Sequence, residues 1–405
     1  MYTLYSLTSE LHSEPVAEPA DERFIQDIEK ALGEAFKFGS TDFSEYSRTR
    51  NNIIYVRTGG TEGIFKSIFC KEGSLNIPDG MPVRLLTSGK SNSLAASMEI
   101  LSFLNRAGWP GEILHGSAEE IALRLRDGFT KGGKSHVKEY DMGRILEGYK
   151  VGVIGKPSDW LISSDVDYAV AKERLGVEIV DINELVGLAE EPDRKWLEGL
   201  KLNPPNKPKF GKSISGKDFS GSMDIYCAMK TLVERYGLAG VSLRCFDLLT
   251  ALGNTGCMAL AILNSQGVVA TCEGDIPTLL SMCIAHQKFG ISGFQANLSR
   301  IDGDKMLFAH CTVPLNMVEE YSYDTHFESG IGVAVHGVLP AGAARIFKLS
   351  PDCSEMFLED VEILENQYND CLCRTQILVD APGLADYFLR SPIGNHHVII
   401  PERRQ

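Results

Sequence analysis

Hydrophobic positions along the chain fall into short runs that alternate with segments of helical spacing. Residues 83–87 (VRLLT) form a compact apolar run, and behind it Leu94, Met98, Leu101 and Leu104 recur at helical intervals over 93–107. Residues 111–115 (GEILH) predict a strand. Ser117 with Glu120 then makes a capping-box pattern, in which each side chain satisfies the other residue's free backbone amide, and this opens the next helix. Such a strand–helix–strand rhythm builds parallel sheets covered by helices. A second start falls at Val151: strand 151–155, a polar loop 156–160, a helix over about 165–175 and a strand over 177–182. The segment 203–217 carries three prolines, four lysines, two glycines and two serines, which predicts an exposed connection. Alternation resumes with helix 222–236, strand 241–246, helix 255–264 and strand 268–272. After about residue 305 the texture changes. Runs 306–309, 332–338, 344–349, 356–364 and 376–380 are β-prone with no helical spacing between them, which predicts a terminal antiparallel barrel or sandwich.

Length and charge narrow what such a chain does. Its 405 residues exceed what one core usually organises, so two or three domains are expected. Asp and Glu outnumber Lys and Arg by 54 to 40, a formal charge of −14, which argues against broad binding to nucleic acid or to an anionic membrane. No apolar run approaches the roughly 20 residues of a membrane span, and residues 1–18 read as no secretory signal. The ten cysteines are scattered, and the closest pair, Cys371 and Cys373, lacks zinc or redox spacing. Free thiols in a cytoplasmic protein are expected.

Three glycine-rich segments resemble phosphate loops without matching one. The segment 57–63 (RTGGTEG) fits neither the dinucleotide nor the P-loop pattern, and Glu62 would oppose a phosphate; of the three it is the best placed to touch a substrate. Segments 87–91 (TSGKS) and 151–155 (VGVIG) read as structural turns. The region 268–312 is different. Cys272-Glu273-Gly274-Asp275 sets two carboxylates at the end of an apolar strand, just before a helix, and ligands of open α/β sheets bind at that carboxyl edge. Asn297 follows, then His310, and much later Gly394-Asn395-His396-His397 interrupts a β-prone tail. A carboxylate, an amide oxygen and two imidazoles suit a divalent cation with open positions, such as manganese.

These residues resemble the superfamily of L-fucose isomerase and L-arabinose isomerase, in its short "fucose isomerase-like" branch. Segments 57–63, 272–275, 294–300, 309–312, 326–332 and 394–397 carry the resemblance. It implies an α/β fold of two Rossmann-like open parallel-sheet domains, 1–145 and 146–304, followed by a β-rich domain over 305–405. It also implies a homo-oligomer, trimer or hexamer, with Mn²⁺ or another divalent cation where the domains meet. The implied activity is an intramolecular oxidoreductase, a sugar isomerase interconverting aldose and ketose. By the resemblance, Glu273 is metal ligand and general base, while His310 and His396 approach the metal; His397 stays open as an alternative to His396.

The family's second carboxylate is expected twenty-four residues after the first, where this chain has Asn297. An amide oxygen coordinates a metal but exchanges no proton, so Asp275 or a water must supply that function, or the chemistry has drifted. The expected catalytic set is Glu273, Asp275 and Asn297, and the expected metal set is Glu273, Asn297, His310 and His396. Expected substrate contacts are Arg57, Glu62, Trp160, Arg300, His326, Glu328 and His397. The basic members, with Lys156, would suit an anionic sugar. For His326 and Glu328 the other reading is a hairpin's polar face, and for Trp160 it is packing. Two further functions stay open: a carbohydrate-binding or regulatory protein that does not isomerise, and a metal-dependent sugar lyase on the same fold.

Overall fold

The computed structural model describes residues 1–9, 18–46, 51–72, 74–77, 81–129, 136–141, 143–205 and 213–402. Part of the expected connection over 203–217 therefore lies outside the described residues. The chain is mixed α/β, with two parallel sheets and a β-rich C-terminal part that contains a closed barrel.

The first unit runs β1 (Thr3–Leu7), α1 (Arg23–Leu32), β2 (Lys37–Phe38), β3 (Asn52–Val56), α2 (Glu62–Phe69), a small hairpin of β4 (Cys70–Lys71) and β5 (Ser74–Leu75), β6 (Val83–Leu86), α3 (Ser93–Arg106), β7 (Gly111–Leu114) and α4 (Ala118–Asp127). Its sheet has the all-parallel order β2-β1-β3-β6-β7. The central strands are fully buried and mostly apolar because helices cover both faces; Arg84 of β6 is paired with Glu112 of β7. Ser117 caps α4 as its sequence predicts: the hydroxyl accepts from Glu120 N and the Glu120 carboxylate accepts from Ser117 N.

The linker strand β8 (Val137–Glu139) leads to the second unit. This comprises β9 (Lys150–Ile154), α5 (Tyr168–Leu175), β10 (Glu178–Ile182), α6 (Leu185–Glu190), α7 (Gly216–Tyr236), β11 (Gly240–Leu243), α8 (Phe246–Leu252), α9 (Cys257–Ser265), β12 (Val269–Cys272) and α10 (Ile276–Phe289). The parallel order is β10-β9-β11-β12. Strand β11 stops at Leu243, short of the predicted 246, because the chain turns there into α8, which starts at Phe246.

The last unit holds β13 (Phe294–Asp302), β14 (Lys305–His310), the hairpin β15 (Glu320–Asp324) and β16 (Ala334–Val338), then β17 (Gly342–Leu349), β18 (Glu355–Gln367), β19 (Thr375–Asp380), α11 (Ala385–Arg390) and β20 (His396–Pro401). Six strands close a fully antiparallel barrel in the order β17-β20-β13-β14-β19-β18, with β18 returning to β17 and β8 added along the outer side of β18. Closure leaves no edge within the ring. Strand β13 pairs with β14 and β20, so the barrel starts at Phe294, and the expected boundary at 305 falls inside a paired hairpin. Buried polar residues Gln295, Asn297 and Ser299 break the apolar pattern that would have marked this strand.

Packing joins the units. Helix α10 lies against β17 and β20, and α3 lies against β13. Residues that follow the carboxyl ends of β3, β6 and β12 meet barrel residues around one cavity.

Candidate active site

Strand β12 delivers Glu273 to this junction in an unusual backbone state. Glu273 has φ +67° and Gly274 φ +69°, and a left-handed conformation costs a non-glycine residue about 1–3 kcal/mol. Neighbouring loops hold it there. Ser158 N donates to Glu273 O at 2.9 Å, and a Cβ on Gly274 would stand 2.6 Å from Lys156 O, so only glycine fits. The turn aims the Glu273 carboxylate into a cavity, where Trp160 Nε1 donates to Oε2 at 2.6 Å and His396 Nε2 lies 3.4 Å from Oε1.

The barrel brings the histidines. Asn297 on β13 stands opposite His396 on β20 and opposite Ala309 on β14, next to His310. One carboxylate oxygen of Glu273 and one ring nitrogen each of His310 and His396 lie within 4.8 Å of one another, a possible metal-binding triad. His396 Nδ1 meets Asp275 Oδ2 at 2.9 Å, which directs Nε2 toward Glu273, and His310 Nδ1 meets Thr312 Oγ1 at 3.0 Å. Burial opposes charge on His396, but Glu273 and Asp275 outweigh it and push the imidazole up to about 9. Burial, with charge on His396, pulls His310 down to about 4. Burial alone would raise Glu273, yet the two histidines and Trp160 hold its carboxyl below the usual range.

Two buried atoms in this cluster, His396 Nε2 and Asn297 Oδ1, have no hydrogen-bonding partner among the described residues. Unsatisfied buried polar groups cost about 1–3 kcal/mol each, and a bound cation would satisfy both. Nitrogen and oxygen donors fit a divalent transition ion of the manganese type.

The expected substrate residues divide. Glu62, Trp160 and Glu328 line the cavity together with Glu273 and Asn297, around about 500 Å³ of open space, mouth included. His326 sits just behind, its ring edge-on to Phe246, which is itself edge-on to Trp160. Arg57 does not line the cavity; its guanidinium pairs with Glu22. Arg300 is exposed on β13, away from the cavity wall. His397 faces the opposite way from His396, as adjacent strand residues must. Its Nε2 meets Tyr387 Oη at 2.8 Å, and its ring packs against Phe357 and Phe388 in the barrel. Asp275 is fully buried behind His396; its carboxylate caps α10 at Thr278 N and lies 3.5 Å from Lys348 Nζ.

Several wall residues were not singled out from the sequence, Asn92, Phe246 and Asn395 among them. Asn92, with φ +58°, follows the Gly89-Lys90-Ser91 turn and donates to Glu328 Oε1 at 2.8 Å. Phe246 opens a helix that was not foreseen. Gly60 sits in the 57–63 loop, and Asn395 stands beside the two histidines. Glu99 anchors that last corner: its carboxylate accepts from Asn395 N and Ser163 N, tying the segment before β20 to the loop after β9.

The fold and site define a class: paired parallel sheets and a β-barrel meeting at a cavity, with a candidate cation site formed by a carboxylate of its wall, Glu273, and two buried imidazoles behind it. No protein-family model matches the chain. It is similar to curated proteins named sulfoquinovose isomerase. With those of Priestia aryabhattai and Priestia megaterium it is 23% identical over 273 residues, covering 64% of this chain and 59% of theirs. With that of Alkalicoccus urumqiensis it is 22% identical over 227 residues, covering 54% and 49%. The chain thus spans about three-fifths or less of the length of these relatives.

Proposed function

We propose that the protein is a metal-dependent aldose–ketose isomerase working through a cis-enediol, within the fucose and arabinose isomerase superfamily. The observation that carries this reading is the convergence of His310 and His396 on Glu273, a cavity-wall residue, in a chain whose relatives are named as sugar isomerases. Glu273, Asn297, His310 and His396 would hold the ion. When bound, a divalent cation polarises the sugar's carbonyl and hydroxyl oxygens.

The chain's own groups do the rest. Glu273 takes the hydrogen from the carbon beside the carbonyl and returns it to the neighbouring carbon. Trp160 fixes Oε2 by its indole N–H, which leaves the other carboxylate oxygen toward the histidines. Asp275 acts from behind, as a positioning residue for the His396 ring. Amide, carboxyl and aromatic groups line the cavity, the types that grip sugar hydroxyls and ring faces. The relatives' name refers to a sugar carrying a sulfonate, and an anionic substrate is part of this reading; Arg57 and Arg300 do not line the described wall, so neutral sugars enter the test as well. A trimer-based homo-oligomer in the cytoplasm completes it; native mass measurement tests the assembly. Among the described residues, no helix is long and apolar enough to cross a membrane.

The test is NMR in D₂O with sulfoquinovose, glucose 6-phosphate, D-glucose, L-fucose and L-arabinose, using Mn²⁺-loaded and chelator-treated protein. Deuterium at the carbon beside the carbonyl, with ketose formed, is expected of the loaded protein and absent from Glu273→Gln. Exchange without ketose would turn the reading toward a lyase. Sugar binding without exchange would turn it toward a binding or regulatory protein.

A further inference from the structure

An isomerase needs two proton movements, one between carbons and one between oxygens, and Asn297 stands where the expected second carboxylate would make the latter. Asp275 does not replace it. One of its oxygens accepts from Thr278 N, the other meets His396 Nδ1 and Lys348 Nζ, and it does not line the cavity. Two other carboxyl groups do, Glu62 and Glu328. Glu328 is part-exposed and already accepts a hydrogen bond from Asn92.

Glu62 is built differently. It begins α2 after Gly59-Gly60-Thr61, is 2% exposed, and its Oε2 is buried without a hydrogen-bonding partner among the described residues. A carboxyl oxygen left unsatisfied in a residue of the cavity wall is placed to receive a hydroxyl.

We propose that Glu62 is the second acid–base group, moving the proton between the two substrate oxygens while Glu273 moves the carbon-bound hydrogen. This rests on the isomerase reading above. In the aldose-to-ketose direction, Glu273 as carboxylate takes the C2 hydrogen, the C1=C2 bond forms, and Glu62 as carboxylic acid gives its proton to O1. The enediol's O2 proton then passes to the Glu62 carboxylate, C2=O2 forms, and Glu273 returns its proton to C1. Both side chains end as they began, with no net oxidant or reductant. The starting protonation agrees with the surroundings: burial first, then the charges of Glu99, Glu273 and Glu328, hold the Glu62 carboxyl well above its usual range.

The wild type is assayed first, in D₂O with Mn²⁺ and the five sugars named above. Absence of exchange with all of them overturns the isomerase reading and the role of Glu62 together. Given a turned-over sugar, Glu62→Gln is expected to lower kcat by about 10²–10⁴-fold, with KM and manganese content near wild type. A kcat within threefold of wild type overturns the role of Glu62 alone. Should that variant lose the wild-type melting transition, Glu62→Ala decides by chemical rescue. Formate restores turnover and acetamide does not if a carboxylic acid is what the site requires, whereas no rescue by formate overturns the assignment.

Discussion

Replacing Lys348 by methionine tests the buried charge network behind the site. Lys348 is fully buried on β17, with Nζ 2.9 Å from Thr278 Oγ1 and 3.5 Å from Asp275 Oδ2. At an effective dielectric of about 20, two unit charges at 3.5 Å attract by about 5 kcal/mol. Methionine keeps most of the volume and escapes the lysine's own desolvation cost, but it leaves the Asp275 carboxylate buried with less compensation, a change worth about 3–5 kcal/mol. Because Thr278 N and His396 still face Asp275, the lower end, about 3 kcal/mol, is expected. Chemical denaturation of the wild type, Lys348→Met, Asp275→Asn and the double variant gives the coupling. The double variant should recover most of the loss, since removing both charges removes the uncompensated one. A Lys348→Met loss below about 1 kcal/mol, or a double variant no better than the sum of its singles, would refute the argument.

The remaining expectations concern the histidines. His396→Ala should weaken Mn²⁺ binding at least tenfold in a metal titration, while His397→Ala should leave it near wild type and instead lower stability, because that ring packs among Tyr387, Phe357 and Phe388; the reverse pattern would exchange their roles. His115 bridges Thr87 O and Ile301 N, and burial pulls its imidazole down to about 4. With an unfolded value of about 6.5, the unfolded chain takes up this proton first. Stability is therefore unaffected above that value and falls by about 3 kcal/mol as pH drops from about 6.5 to 4. Denaturation of His115→Gln across that range should show a shallower slope, and a slope equal to wild type would sink the assignment.

Much of the architecture was legible because periodicity reports burial. The Ser117–Glu120 cap, the strand before Glu273 and the β-rich tail all follow from local pattern. Elements with buried polar groups were not legible. Strand β13 hides behind Gln295, Asn297 and Ser299, all buried: Asn297 lines the cavity and the Gln295 amide bonds the Cys272 backbone. The Glu273, His310 and His396 grouping was readable from residue chemistry, but choosing between His396 and His397 needed the facing of one strand. Contacts between distant segments left no trace in the sequence. Glu99 binding Asn395 across 296 positions is one case, and Cys245 and Cys272, scattered along the chain yet with sulfurs 3.0 Å apart, are another.

The barrel's closing strand has a consequence for how the protein is made. Strand β20 follows every other barrel strand in the chain, yet it pairs with both β13 and β17 and carries His396. Until it leaves the ribosome, those two neighbours each present an open row of amides and carbonyls, the kind of edge on which nascent chains aggregate. The candidate cation site cannot assemble on a partial chain either, because one of its three groups is still missing. Biosynthesis therefore completes the sheet and the Glu273, His310 and His396 grouping in one step, and a truncated product lacking β20 would lack that grouping and be adhesive.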